Sequence, residues 1–210
     1  VSTMVVDLGW ETRLGDWKPN RHFPASYRAI AAEIEAAGFI PGIWTTPLLL
    51  HQYAPIVRHR QDLLARRENG NPVNVWGNFA LDFSMPEVQE ILRKFYEELH
   101  QAGFRYFKVD YVYHETIDAI GRWHDADIGK AALIRKGFEI IRAAVGEQSL
   151  ITNCGAPPES TIGLCDSSRL SMDIHNFWGH IRNNASQIAA RLWQNNKLWR
   201  VDPDFAIIRS

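Results

Sequence analysis

Three aspartates, Asp7, Asp110 and Asp173, each close a short apolar run that is rich in β-forming residues. In parallel α/β barrels the catalytic groups gather at the carboxyl ends of the strands. Aspartate is also a common helix cap in strand-to-helix turns, so each residue taken alone has a structural alternative. Three such residues in one chain, two of them beside a cation in the same run, favour a functional site at the carboxyl ends of the strands.

The two cations lie on the strand faces that carry the acids. Side chains alternate across a strand, so residues two apart share a face. Lys108 therefore shares a face with Asp110, and Arg169 and Ser171 share one with Asp173. A lysine or arginine inside a buried parallel sheet is costly unless it has a partner. That partner is either a structural salt bridge or a hydroxyl-rich ligand.

Two carboxylates at one rim predict glycoside hydrolysis, in which one protonates the leaving oxygen and the other attacks the sugar. Lys108 lies about 7 Å along the strand from Asp110, and a cation at that distance favours the ionised carboxylate that a nucleophile requires. Arg169 is about 13 Å along the strand from Asp173, so its influence on Asp173 is expected to be weaker. This contrast predicts Asp110 as the nucleophile and Asp173 as the general acid/base.

Short β-rich runs alternate with segments of helical period, the pattern of a parallel α/β domain. Helices are expected at residues 25–37, from a capping box at Ser84 and Glu87 to about 103, at 117–145 and at 185–195. Six runs are predicted as barrel-type strands: residues 3–7, 39–44, 106–110, 150–153, 168–173 and 205–208. A closed (β/α)8 barrel has eight strands. The chain is thus predicted to be one catalytic domain fragment over residues 1–210, an incomplete (β/α)8 TIM-type barrel; an open parallel sheet is the alternative.

Composition excludes several functional classes. The net charge is −1 without a long basic run, so no face for nucleic acid or an anionic membrane is indicated. No apolar stretch approaches the roughly 20 residues that cross a bilayer. The histidines show no metal-ligand spacing and no glycine-rich phosphate loop is present, so no metal or cofactor is predicted. Cys154 and Cys165 leave a disulfide and free thiols equally open.

An ordered set of motifs resembles the α-galactosidases of glycoside hydrolase family 36 over essentially the whole chain. The opening Val-Val-Asp-Leu-Gly-Trp of residues 5–10 is followed by Leu-Gly-Asp-Trp at 14–17 and Phe-Pro at 23–24. The remaining motifs are Gly-Ile-Trp at 42–44, Leu-Asp at 81–82, 106–110, Asn-Cys-Gly at 153–155, 169–173 and Asp-Pro-Asp at 202–204.

This resemblance implies the nucleophile at Asp110 and the acid/base at Asp173, in agreement with the electrostatic argument but from a separate source. It implies a glycoside or oligosaccharide substrate, and barrel strands two to seven, with strands one and eight and any β-sandwich domains outside this span. The predicted substrate-contacting residues are Asp7, Trp44, Lys108, Cys154, Arg169 and Trp178. For Trp44 and Trp178, both placed directly after strand ends, stacking on a sugar and packing in the core are both open. Asp202 and Asp204 are expected to be structural caps.

The sequence departs from the family at Leu8. Family members carry two adjacent aspartates before Gly-Trp, which hold the 4- and 6-hydroxyls of the sugar. Leucine cannot accept a hydrogen bond, so a 6-hydroxyl loses one partner here, and the sugar specificity is left open.

Two other functions fit the same residues. A transglycosylase of the raffinose-synthase type uses the same two carboxylates but transfers the sugar to an acceptor sugar instead of water. A non-catalytic carbohydrate-binding barrel uses neither carboxylate for chemistry. The sequence opens on an apolar run without an initiator Met, so the compartment is unknown, and a homo-oligomer is left open as well.

Overall fold

A parallel sheet of six strands forms the centre of the computed structural model, which describes residues 2–112 and 123–204. Within these residues the strands are β1 (Thr3–Val6), β2 (Ile40–Thr45), β3 (Leu49–His51), β4 (Asn74–Val75), β5 (Asn78–Ala80), β6 (Tyr106–Val109), β7 (Leu150–Asn153), β8 (Ser167–Arg169) and β9 (Arg200–Asp202). The α-helices are α1 (Tyr27–Ala36), α2 (Pro55–His59), α3 (Pro86–Ala102), α4 (Lys130–Val145) and α5 (Trp178–Arg191).

The order of the main sheet is β1-β2-β6-β7-β8-β9, and every neighbouring pair is parallel. Because every neighbouring pair is parallel, all carboxyl ends of the strands lie on one rim. In the part of the chain that is described, β1 and β9 are the two edges of the sheet. Six parallel strands in sequential order, with helices between most of them, are what an incomplete (β/α)8 barrel requires.

Helix α3 shows how apolar spacing builds the layer outside the sheet. Its buried residues Val88, Leu92, Phe95, Tyr96 and Leu99 recur at helical period and face the core. The helix ends at Gly103, whose φ of 117° is a left-handed value that favours glycine. The predicted end of this helix near residue 103 is confirmed.

The predicted capping box at the start of α3 is wrong. The cap position is Met85, with Pro86 as the first helical residue and no side-chain cap. The Ser84 hydroxyl instead donates to the Asp82 carboxylate at 2.6 Å, and Glu87 pairs with Arg60. Proline suits the first helical position because its missing N–H would have no intrahelical partner there.

Two predicted strands on the far side of the sheet also need correction. Strand β8 ends at Arg169 rather than at Asp173, and its partner β9 is formed by Arg200–Asp202. The last paired residues are Arg169 and Asp202, after which Pro203 has no N–H with which to continue the ladder. The predicted strand at 205–208 lies outside the described residues, as does the first part of the predicted helix at 117–145.

A small antiparallel sheet of order β3-β5-β4 is inserted between β2 and α3. The turn joining β4 to β5 consists of Trp76 and Gly77, both with left-handed φ values of 52° and 79°. Such a two-residue turn matches the twist of its flanking strands. It holds the indole of Trp76, which is 76% exposed, above the carboxyl rim of the main sheet.

Candidate active site

An open cavity of about 800 Å³ lies at the carboxyl ends of β6, β7 and β8. It brings together four of the predicted site residues, Asp110, Cys154, Arg169 and Asp173. The predicted residues Asp7, Trp44, Lys108 and Trp178 are not part of its described lining. The other residues of the described lining are Trp76, Tyr111, Gly155, Ala156, Pro157, Pro158, Glu159, Leu170, Ser171, Met172, His175, Asn183, Gln187 and Arg191.

Asp110 is the most firmly held acid of this cavity. It directly follows β6, and its backbone N–H donates to the Thr45 carbonyl at 2.9 Å. Its carboxylate accepts the indole N–H of Trp44 at 3.0 Å and the backbone N–H of Tyr111 at 2.7 Å. These two hydrogen bonds fix the orientation of the carboxylate. The arrangement suits an acid that must present one oxygen to a substrate.

Gly155 permits the close approach of the next loop to Asp110. A Cβ on this residue would lie 2.7 Å from an Asp110 carboxylate oxygen and 2.7 Å from the Tyr111 backbone nitrogen. One of these atoms belongs to the backbone and the other to a carboxylate that is hydrogen-bonded, so neither can move cheaply. The glycine of the Asn-Cys-Gly motif is therefore a spatial requirement of the site.

Cys154 lines the cavity as a neutral thiol. Burial, followed by the negative charge of Asp110, raises the pKa of Cys154 well above its ordinary value. An Arg169 guanidinium nitrogen is 3.7 Å from its sulfur. Cys154 and Cys165 are both free, which resolves the open question of a disulfide.

The structure assigns Lys108 a different partner from the expected one. Its ammonium group donates to the Asp7 carboxylate at 2.8 Å, across the 101 residues that separate them in sequence. Burial alone would lower the pKa of Lys108, but the hydrogen bond and charge of Asp7 and the charge of Asp110 raise it. Lys108 thus stays protonated with Asp110 in its field, while Asp7 is the carboxylate that it contacts.

The predicted geometry of Asp173 is wrong. Asp173 lies in the loop after β8, with its side chain 72% exposed, and Arg169 folds back so that its Nη2 donates to the Asp173 carboxylate at 2.8 Å. The expected separation of about 13 Å assumed that the strand continued to Asp173. Arg169 therefore acts directly on Asp173, contrary to the expectation of a weak influence, and both residues line the cavity.

Two polar atoms at this end of the cavity have no hydrogen-bond partner among the described residues. They are the Arg169 Nε, on a side chain that is 4% exposed, and the Ser171 hydroxyl oxygen. A buried donor or acceptor without a hydrogen-bond partner lowers the stability of the fold by on the order of 1–3 kcal/mol. These atoms beside the cavity are therefore suited to a hydroxyl-rich ligand.

The two tryptophans predicted to stack on sugar after strand ends are placed otherwise. Trp44 lies inside β2, is 1% exposed, and contacts Asp110 through its indole N–H. Trp178 is the first residue of α5, which begins seven residues before the predicted helix, and is 71% exposed. In this structure Trp44 orients Asp110 rather than presenting a ring face.

Sequence reasoning missed two residues that contribute to the site. Asp204 was expected to be a cap, yet its carboxylate pairs with Arg169 at 3.0 Å. Trp76 carried no motif, and a tryptophan followed by glycine between two short β-rich runs is the signal that could have indicated an exposed aromatic turn. The described residues contain no cluster of three or more potential metal ligands, and none of the described helices is long and apolar enough to cross a membrane.

The fold and site together define a part of a (β/α)8 barrel with a carboxylate cavity at its carboxyl rim. Residues 1–133 of the chain match the Melibiase family model. The chain belongs to the melibiase family. A bifunctional alpha-galactosidase/sucrose kinase of Mediterraneibacter gnavus is 26% identical over 98 residues, which cover 43% of this chain and 10% of that protein.

Solved structures extend the similarity beyond the family match. TtGalA, an α-galactosidase from Thermus thermophilus in complex with stachyose, aligns with a TM-score of 0.80 and 28% identity over 98% of this chain. A GH36 α-galactosidase of Geobacillus stearothermophilus in complex with raffinose aligns with a TM-score of 0.61 and 16% identity over 80% of this chain, a likeness of fold alone.

These alignments cover 47% of the Thermus chain and 26% of the Geobacillus chain, so this chain spans less than half of either. The predicted incomplete barrel and the resemblance to α-galactosidases are confirmed.

Proposed function

We propose that the protein is a retaining α-glycosidase of the α-galactosidase kind that hydrolyses terminal α-linked sugars. The observation that carries this proposal is that Asp110 and Asp173 line one open cavity at the carboxyl rim of a barrel sheet. Membership of the melibiase family and the likeness to TtGalA, solved with stachyose and with p-nitrophenyl α-D-galactopyranoside, support the substrate class.

The reaction proceeds in two displacements. In the first, the Asp110 carboxylate forms a bond to the anomeric carbon as the bond to the leaving oxygen breaks, and the Asp173 carboxyl gives its proton to that oxygen. In the second, the Asp173 carboxylate takes a proton from water, whose oxygen attacks the anomeric carbon and releases Asp110. Each displacement inverts the carbon, so the product keeps the α configuration.

The surroundings of the two acids suit these different tasks. The nucleophile must be correctly aimed at the sugar, and the Asp110 carboxylate is held by hydrogen bonds from the Trp44 indole and the Tyr111 backbone. The acid/base must exchange protons with the leaving group and with water, and Asp173 is largely exposed at the cavity. Arg169 and Ser171 supply unpartnered polar atoms for sugar hydroxyls, and the exposed Trp76 supplies an apolar face at the cavity mouth.

The test uses the full-length protein with a panel of aryl α-glycosides, and reads the first-formed anomer of the sugar by proton NMR. We expect turnover of an α-glycoside with the α-anomer appearing first, and its loss in Asp110→Asn, which keeps the side-chain shape. Initial release of the β-anomer would contradict the double displacement. Sugar binding without turnover would favour the non-catalytic barrel, and transfer that exceeds hydrolysis at high acceptor concentration would favour the transglycosylase.

A further inference from the structure

The loop that carries Asp173 has little structure of its own. It follows the end of β8 and precedes α5, and the Asp173 side chain is 72% exposed. A general acid must nevertheless lie within hydrogen-bond reach of the leaving oxygen. Something outside this loop has to fix the position of the carboxyl group.

A buried carboxylate from the next segment holds the loop at two points on either side of Asp173. One oxygen of Asp204 accepts the backbone N–H of Ile174 at 2.7 Å, directly after Asp173 in sequence. The other accepts the Nη1 of Arg169 at 3.0 Å, while the Nη2 of the same guanidinium donates to Asp173 at 2.8 Å. The Asp204 side chain is only 8% exposed, so both contacts are shielded from water.

The backbone of Asp204 is itself committed to this geometry. Its φ of 74° is a left-handed value that most residues avoid, and its N–H donates to the Asp202 carboxylate at 2.9 Å, at the end of β9. A strained backbone position persists only where the surroundings fix it. The turn therefore couples the end of a sheet strand to the acid-bearing loop.

We propose that Asp204 is a positioning residue that sets the general acid/base Asp173 through the Arg169 guanidinium and the Ile174 backbone. The proposal rests on the proposed function, because it takes Asp173 as the acid/base. It assigns a mechanistic role to a residue that does not line the described cavity.

A matched control exists at the opposite end of β8. Asp166 precedes that strand, accepts the Ile151 backbone N–H at 2.8 Å and pairs with the Arg142 guanidinium at 2.7 Å. It makes the same two kinds of contact as Asp204, but away from the cavity. Asp166→Asn thus reproduces the structural loss of Asp204→Asn without touching Asp173.

The test measures kcat/KM of the full-length protein for a dinitrophenyl α-glycoside and for a methyl α-glycoside of the same sugar. The dinitrophenolate leaves without a proton, whereas the methyl glycoside needs the acid. We expect Asp204→Asn to lower kcat/KM roughly 30-fold for the methyl glycoside and less than about 3-fold for the dinitrophenyl glycoside. Asp166→Asn should change both values by the same factor.

The ratio of the two values does not depend on the fraction of protein that folds. If Asp204→Asn is inactive towards both substrates, Asp204→Glu, which keeps the charge but shifts the oxygens, is measured in the same way. An unchanged ratio in the active Asp204 variant overturns the proposal. Asp173→Ala is measured in the same way. If Asp173→Ala leaves the ratio of the two kcat/KM values unchanged, the assignment of Asp173 as the acid/base fails. If the ratio changes in Asp173→Ala but not in the Asp204 variant, only the positioning role of Asp204 is rejected.

Discussion

Two arginines at opposite ends of β8 pair with aspartates in quite different ways. Arg142 donates to the carbonyls of Leu164, Gly146 and Ser149 in addition to its ion pair with Asp166. All of its nitrogens are thus engaged at the end of the sheet away from the cavity. Its guanidinium links a helix to the loop before β8, which is a structural task.

Arg169 at the carboxyl end is just as buried but is not saturated. Its two terminal nitrogens bridge Asp173 and Asp204, and its Nε has no partner among the described residues. Burial would lower the pKa of Arg169, but the hydrogen bond with Asp173 and the charge of Asp204 raise it. An ion pair alone therefore does not mark a functional site, whereas an incomplete set of partners beside a cavity does.

The largest effect is expected from replacing each arginine by lysine, which keeps the charge but lacks the planar fork of nitrogens with which arginine holds its partners in place. Arg169→Lys should lower kcat/KM roughly 10³-fold, because an acid that is no longer held in place forfeits its catalytic contribution. Arg142→Lys should lower the free energy of unfolding by about 2–3 kcal/mol through its lost hydrogen bonds, with kcat/KM nearly unchanged. Steady-state kinetics and denaturant unfolding of both variants decide this, and equal losses of activity would erase the distinction.

A smaller loss of activity is expected from crowding the nucleophile Asp110. Gly155→Ala places a methyl group 2.7 Å from the Asp110 carboxylate and from the Tyr111 nitrogen, so the acid must shift. A misplacement of about 1 Å costs roughly 10²-fold in kcat. The control is Gly129→Ala at the cap of α4, where an added Cβ meets nothing within 4 Å. A Gly155→Ala enzyme with the wild-type kcat would show that the close approach has no catalytic meaning.

The smallest effect concerns the sugar rather than the reaction. Leu8 is 57% exposed directly after Asp7, where the family resemblance implies an acid that binds the 6-hydroxyl. Leu8→Asp should raise the preference for an α-D-galactoside over its 6-deoxy analogue about 10-fold, the worth of one hydrogen bond to a charged group. Leu192→Asp, at a similarly exposed leucine, is the control. An unchanged ratio of kcat/KM values in Leu8→Asp would mean that this position does not reach the 6-hydroxyl.

Local rules predicted the sheet and the positions of two acids well. Strand ends placed Asp7 and Asp110 directly after β1 and β6, and helical period gave the buried face of α3. These features depend on neighbours in sequence, so pattern and propensity suffice to find them.

Contacts between distant segments could not be predicted in the same way. Strand β8 ends at Arg169, because Pro203 directly after the partner strand β9 cannot continue the hydrogen bonds between the two strands. Asp173 therefore lies outside the strand, and the alternation of side chains along a strand does not predict its direction. Lys108 pairs with Asp7, and Arg169 pairs with Asp204, because the fold places these residues within reach of each other although they are distant in sequence. The spacing in sequence holds no information on either choice.

The anomer formed when azide replaces the missing carboxylate distinguishes the nucleophile Asp110 from the acid/base Asp173. With Asp173→Ala and a dinitrophenyl α-glycoside, the β-linked glycosyl-enzyme forms, and azide then attacks it from the opposite face to give the α-glycosyl azide. With Asp110→Ala, azide enters from the vacated β face in a single displacement and gives the β-glycosyl azide. NMR of the two products should therefore show α from Asp173→Ala and β from Asp110→Ala. The reverse pattern would exchange the two roles, and the absence of a glycosyl azide from both variants would contradict the account.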